Sequence, residues 1–349
     1  MTKQNDIIND PKYVAVLDHG FVGLVDHMGS DADIVSAARV SYGDGTKSVN
    51  EDRGLIRYLV SHKHTSPIEM AEVKLHIKMP IFIARQWIRH RTASINEYSG
   101  RYSVMTDEQY LPSLDALAPQ SKTNKQGRGE TFEGETAESV AYLIESANGN
   151  SFEAYKTLVT PGAEVEDKRD SYLDAYCPDE EYRLLPDDYP GLSRELSRIV
   201  LPLATYTEFY WKQDLHNLLH LIKLRRDVHA QQEVRDYAEA VFKLIQPLFP
   251  LTIEAWEDYI WAGRTLSRME IDLLQEILES FGADTRLLNW IEEAGGAKAF
   301  ATERGLSLRE LRAFQQTWNL AQDTSEVAIV AVTNEHKPGL FKRFTKFFS

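Results

Sequence analysis

The stretch Arg89-His90-Arg91-Thr92-Ala93-Ser94-Ile95-Asn96-Glu97-Tyr98-Ser99-Gly100-Arg101 gathers cations and hydrogen-bonding side chains inside a chain whose formal net charge is -14 at pH 7. Arg concentrated locally against the global sign reads as a built anion site. Each guanidinium is a planar fork of donors that matches phosphate, Ser99 and the backbone around Gly100 add neutral donors, and Glu97 offers an acceptor for a sugar hydroxyl or a base edge. The competing reading is an ion-pair network, with Arg85 and Glu97 as partners, that binds nothing; Arg198, read alone, is likewise a surface charge with Glu195 as a pairing partner at i−3.

Working outward, Pro80 opens a helix through about Arg91, on which Arg85 and Arg89, and likewise Gln86 and His90, share faces four residues apart. Before it, Val73, Leu75 and Ile77 alternate with Glu72, Lys74, His76 and Lys78, the period of two expected of a strand with one wet face. Ser66-Pro67-Ile68-Glu69 carries the residues of a helix start, and Ser48 with Glu51 forms a capping box ahead of a helix ending near His62. Tyr13 to Asp26 reads as two strands about His19-Gly20, followed by a helix from Asp31 to Val40 capped by Ser30 or Asp31. Downstream, residues 113–190 change character and read as an insertion, with one helix over Ala137 to Val159. A helix from Ser193 to Val200 stops at Pro202, a strand spans Ala204 to Trp211, and two helices follow over Asp214 to Arg226 and His229 to Leu248.

These elements predict an α+β (α/β) fold: a mixed or antiparallel sheet flanked by long helices, with a helical C-terminal extension. The expected division is a catalytic domain over 1–255 and an extension over 256–349, the latter with capping boxes at Ser267/Glu270 and Ser307/Glu310. The 349 residues, 43% hydrophobic, suffice for a sizeable core. The acidic balance disfavours general nucleic-acid binding, which needs clustered cations facing the duplex, but it is compatible with a small anion in a local Arg pocket. Cys177 is the only cysteine, so no disulfide framework or Cys-based zinc site is expected within one chain. Its acidic surroundings speak against a nucleophilic thiol. With no apolar leader at the N-terminus and no run of membrane-spanning length, a reducing, cytoplasmic setting is the expectation. His62, His64 and Glu69 match no closed zinc spacing, so no metal is expected.

The run Arg89 to Arg101 fills every fixed position of the signature of the flavin-dependent thymidylate synthases: Arg-His-Arg, two free, Ser, one free, Asn-Glu, one free, Ser, one free, Arg. The resemblance extends to His62-Lys63-His64-Thr65-Ser66-Pro67-Ile68-Glu69, to Arg194-Glu195-Leu196-Ser197-Arg198, and to Leu224-Arg225-Arg226-Asp227-Val228-His229-Ala230-Gln231-Gln232-Glu233. It implies methylation of dUMP at C5, with methylenetetrahydrofolate as carbon donor and FAD, reduced by NADPH, as hydride source, in a homotetramer with shared sites. No enzyme cysteine is needed in that family. By resemblance Arg225 is catalytic, the cation beside the pyrimidine; Gln86, Arg89, Glu97, Ser99, Gly100, Arg101 and Arg198 bind the rest of dUMP; and His64, Ser66, Arg89, His90, Arg91, Glu97, Asp214, His216, His220 and His229 hold the flavin. Departures from the pattern are Met70, where many relatives have His, and His216 and His220, where others have Arg or Asn. The readings set against this one are a catalytically silent flavin or nucleotide sensor and a nucleic-acid-binding protein. The intact Arg225, Ser99 and Arg101 argue against the first, and the acidic charge against the second.

Two segments lie outside the family pattern. Lys122 to Arg128 reads as a mobile flap that meets folate or NADPH. At the C-terminus Phe341, Phe344 and Phe348 share a helical face while Lys342, Arg343 and Lys346 lie elsewhere. That pattern suits packing on its own protein first, and an acidic membrane surface or a partner such as a replication clamp second.

Overall fold

Period-two patterning in the first eighty residues and again near residue 210 builds one five-stranded antiparallel sheet. In the computed structural model residues 1–7, 9–40, 49–122, 127–162, 185–186, 188–318 and 320 are described. Two units, Met1–Ala262 and Gly263–Ser349, divide the chain. The first holds β1 (Tyr13–Val16), β2 (Gly20–Met28), α1 (Asp31–Arg39), α2 (Val49–Ser61), β3 (Glu72–Pro80), α3 (Ile81–Trp87), β4 (Ser94–Glu97), α4 (Gly134–Val159), β5 (Tyr206–Asp214), α5 (Leu215–Arg225), α6 (Gln232–Ile245) and α7 (Pro250–Trp256). The fold is α+β; the strands lie in the order β1-β2-β3-β5-β4, and every ladder in the sheet is antiparallel.

One face of the sheet and the helices laid on it make the core. Val73, Leu75, Ile77 and Met79 of β3 are buried against Ile56 of α2, Trp87 of α3, Leu218 and Ile222 of α5, and Val234, Ala238 and Val241 of α6. The apolar positions of α6 recur at helical spacing, which explains why it buries nearly a whole face. Tyr237 of that helix donates its hydroxyl to the Lys78 carbonyl at 2.8 Å. A Cβ at Gly20 would lie 1.9 Å from the same hydroxyl, so β2 has to begin on glycine.

Several sequence expectations need correction. The second face of β3 is not wet along its length: His76 is 7% exposed and Lys78 is 0% exposed. His76 stacks on Tyr210 at 4.7 Å and places its Nε2 2.7 Å from Glu208. Lys78 donates to Glu108 at 2.8 Å and to the Thr2 carbonyl at 2.8 Å. Polar side chains can be buried there because each finds partners on the covering segments. The helix after Pro80 ends at Trp87 and not near Arg91, because the chain turns tightly (His90 N–H to the Trp87 carbonyl, 3.1 Å) to enter β4. Ser66-Pro67-Ile68-Glu69 yields a single 3₁₀ turn, Ile68–Met70, since Glu72 must already be in the sheet. Ser30 stands at the N-cap of α1 but donates to the Asp33 side chain at 2.7 Å and caps no backbone N–H. Ser48 lies outside the described residues.

The second unit contains α8 (Arg268–Ser280), α9 (Ala283–Glu293), α10 (Ala297–Glu303) and α11 (Leu308–Thr317) around a small core of Leu287, Phe300, Ala301 and Leu311. Both expected capping boxes form, Ser267 with Glu270 and Ser307 with Glu310. Cys177, residues 123–126 of the expected flap, and the aromatic tail lie outside the described residues. Among the described residues no helix is long and apolar enough to cross a membrane.

Candidate functional site

The signature run is drawn straight in its middle by β4, whose Ser94–Glu97 pair with Lys212–Phe209 at the edge of the sheet. At about 3.4 Å per residue the three steps from Ser94 to Glu97 span roughly 10 Å, so the two ends of the run meet different neighbours. β4 was hidden in the sequence because all four of its side chains are exposed and show no alternation.

At the first end, α3 and the turn after it meet the C-terminus of α5. Arg225 donates from Nε to His90 Nε2 at 3.0 Å and from its terminal nitrogen to the Gln86 carbonyl at 3.1 Å. Burial, reinforced by the Arg225 charge and by His220, pushes the His90 pKa down to about 4. The ring is therefore neutral near pH 7 and offers a lone pair to the guanidinium, which puts its own proton on Nδ1. Burial also lowers the Arg225 pKa from its ordinary value, yet an Arg stays charged. Gln86 is oriented by a hydrogen bond to Gln231 at 2.7 Å, a partner 145 residues away. Gln231 lies within the quoted motif but had no assigned role, and nothing local could supply one.

A cavity of about 260 Å³ opens beside this end. Leu59, Val60, Ile68, Leu219, Trp256 and Ile260 form its apolar wall, while Lys63, Thr65, His216, His220 and Lys223 bring polar and ionisable groups. His216 and His220 thus line a shared cleft. Lys63, at φ +58 a non-glycine residue in the left-handed region, and Lys223 were not anticipated. His64 and Ser66 flank Thr65 on the same exposed turn, where His64 meets Tyr58 edge-on at 5.6 Å. Asp214 caps α5, one oxygen accepting from the Asn217 N–H at 2.9 Å and the other from its side-chain amide at 2.8 Å.

At the other end, Gly100 is buried, and a Cβ there would meet Met105 Sδ at 3.1 Å and Arg198 Cδ at 3.5 Å. The Arg198 stem therefore lies over the Ser99-Gly100-Arg101 turn. Arg101 pairs with Glu195 at 2.9 Å, both side chains more than half exposed. Arg198 does not pair with the Glu195 carboxylate, as their spacing had suggested; its Nε donates to the Glu195 carbonyl at 3.2 Å. Glu97 accepts from the Thr207 hydroxyl at 2.6 Å. Arg89 and Arg91 project into solvent.

His229 is exposed and bonded to Asp227 at 2.7 Å. With Gln231 it lines a second, polar cavity of about 630 Å³ that also includes Tyr110, Arg128 and Glu233. Arg128, the last residue of the expected flap, is anchored there by its ion pair with Glu233.

The profile of the family described as Thymidylate synthase complementing protein matches residues 23–251. A flavin-dependent thymidylate synthase of Rickettsia bellii is 46% identical over 274 residues, covering 78% of this chain and 87% of that protein. One from Ruegeria pomeroyi is 44% identical over 300 residues, covering 86% of each. Among solved structures, the UMP/dUMP methylase PolB from Streptomyces cacaoi bound with 5-Br dUMP superposes with a TM-score of 0.56 at 29% identity, covering 70% of this chain and 98% of that one.

Proposed function

Because the chain belongs to the flavin-dependent thymidylate synthase family, we propose that it methylates dUMP at C5 to give dTMP, with methylenetetrahydrofolate as carbon donor and FAD, reduced by NADPH, as the hydride source. The observation that carries this reading is Arg225 held by the neutral His90 ring and the Gln86 carbonyl. Attack at C6 of uracil places negative charge on C5 and, by conjugation, on the C4 carbonyl oxygen, beside N3. A fixed, partly desolvated cation there stabilises the transition state more than the ground state. Arg225 acts as that electrostatic anchor and transfers no proton.

The phosphate and ribose fall to Arg101, Arg198, Ser99, Gly100 and Glu97, with Gln86 and Arg89 at the opposite end of the run. Among the described residues of one protomer, Arg101 and Arg198 bond to Glu195 while Arg225 bonds to His90 and Gln86. The family resemblance implies a homotetramer with shared sites, in which one nucleotide is held by both ends of the run, each from a different copy. The cleft lined by His216 and His220 suits part of a flavin nucleotide, since an apolar wall can take a ring system and Lys63 and Lys223 can face a pyrophosphate. When bound, the flavin supplies the hydride. Arg89, His90, Arg91, His64, Ser66 and His229 complete its surroundings, and Asp214 fixes the start of the helix that carries the two cleft histidines. Residues 1–255 form the catalytic domain with its insertion at 113–190, residues 256–349 add a helical extension, and the enzyme works in the cytoplasm.

Purified protein should be yellow and should release tritium from 5-labelled dUMP only when NADPH and methylenetetrahydrofolate are both present. Colourless protein that stays inactive after FAD is added would sink the reading.

A further inference from the structure

Arg226, next to Arg225, is engaged differently. Its Nε bonds Glu239 of α6, and its guanidinium lies 4.2 Å from the centre of the Phe242 ring and 5.0 Å from that of Trp261. One of its terminal nitrogens is buried without a hydrogen-bond partner among the described residues. A cation placed over aromatic faces in a desolvated spot recovers part of that cost, and only a planar guanidinium can lie flat on rings while bonding a carboxylate through Nε.

The rings are themselves fixed. Trp261 stacks on Trp256 at 5.8 Å and 19°, and Trp256 meets Phe242 at 5.9 Å. Trp261 ends a π-helical turn, Glu257–Trp261, that follows α7 directly. Such turns shift the helical register, are rare, and occur frequently at functional sites. Here the shift presents Trp261 to Arg226, while Asp258 of the same turn is tied to Arg57 of α2 at 2.6 Å.

We propose that Arg226 is a positioning residue for Arg225, clamped by Glu239, Phe242 and Trp261. The proposal rests on the role given to Arg225 above. Arg226 is the C-cap of α5, and the chain leaves the helix into the Asp227–Gln231 loop immediately after it. A last turn flanked by a loop frays unless a side chain pins it. With Arg226 pinned on one side of the helix end, the Arg225 backbone is set, and its guanidinium reaches His90 and the Gln86 carbonyl in one orientation. Small displacements of a charge-stabilising group lower rates by up to about 10²-fold.

The test measures N3 ionisation of 5-fluoro-dUMP bound to the FAD-loaded enzyme, followed by ultraviolet difference absorbance against pH, beside kcat, KM and Tm. The wild-type protein should lower the N3 pKa of the bound nucleotide relative to the free one. Arg226→Lys, which keeps the charge, and Trp261→Leu, which removes the ring, should each return that pKa toward the free value and lower kcat by about tenfold or more, with little change in KM. Trp261→Phe should restore most of both. If Arg226→Lys and Trp261→Leu alter only Tm or flavin retention while the bound N3 pKa matches wild type, Arg226 is structural and the proposal fails. Arg225→Gln distinguishes the two layers. A bound N3 pKa unchanged in that variant overturns the role of Arg225 and this proposal with it, whereas a change in Arg225→Gln without one in Arg226→Lys overturns this proposal alone.

Discussion

The two ends of the Arg89 to Arg101 run are built on opposite principles. At the His90 end the charge is assembled in advance: Arg225 has two fixed acceptors, its surroundings are partly desolvated, and the histidine is held neutral. At the Arg101 end the cations are exposed, and Arg101 is engaged by the equally exposed Glu195, a surface pair worth little in free energy. The contrast teaches which interaction has to be ready before substrate arrives. Under the roles proposed for them, a charge that acts on the transition state gains from preorganisation, whereas a phosphate grip only has to be available, and a weak internal ion pair is readily exchanged for a dianion.

Four experiments press on that contrast. The largest effect is expected from Arg225→Lys, which keeps the charge but loses the fork; kcat should fall about 10²–10³-fold while the flavin is largely retained, and single-turnover kinetics would show the loss in the chemical step. An active variant would place the activating charge elsewhere. At the other end, Arg101→Ala and Arg198→Ala each remove charge-assisted hydrogen bonds of about 1.5–3 kcal/mol, so KM for dUMP should rise about 10- to 100-fold with kcat less affected. If kcat collapses instead, the two ends are not divided as described.

The third concerns acid stability. The folded His90 pKa, about 4, lies below the ordinary value of 6.5, so below pH 6.5 the unfolded chain binds the proton more readily. The stability associated with neutral His90 is full above pH 6.5 and is lost as pH falls toward 4. Denaturation midpoints of wild type and His90→Gln should therefore diverge across that window, the wild type losing more; parallel curves would contradict the buried neutral ring. The smallest structural effect belongs to Gly100→Ala. The new methyl meets Met105 Sδ at 3.1 Å and Arg198 Cδ at 3.5 Å, inside two flexible side chains that have to give by only a few tenths of an ångström, so stability should change by less than about 1 kcal/mol. A rise in KM for dUMP without a change in Tm would locate the demand for glycine in the ligand and not in the fold.

Much of this was legible locally. The capping boxes at Ser267 and Ser307, the alternation in β3 and the apolar stripe of α6 are short-range patterns, and each element forms. What failed was set by remote segments. Lys78 reads as solvent-facing until residues 2 and 108 cover it, and Gln86 looks unpartnered until Gln231 arrives. Glu195 seemed a partner for Arg198 by spacing, but its carboxylate is taken by Arg101, 94 residues away. The signature groups the residues proposed for the site; it carried no sign that a strand, Ser94–Glu97, would run through its middle.

The strand order has a consequence in time. β5 lies between β3 and β4, and the Thr207–Glu97 bond that joins the edge to the sheet spans 110 residues. At synthesis rates of roughly 5–20 residues per second, β4 leaves the ribosome several seconds before its pairing partner exists. Until then the free edge of β3 is an unpaired template, and the Arg-rich segment is held by nothing in the sheet. The short, polar Ser94-Ile95-Asn96-Glu97 is a poor seed for intermolecular pairing, which suits a strand that must wait for its neighbour to be made.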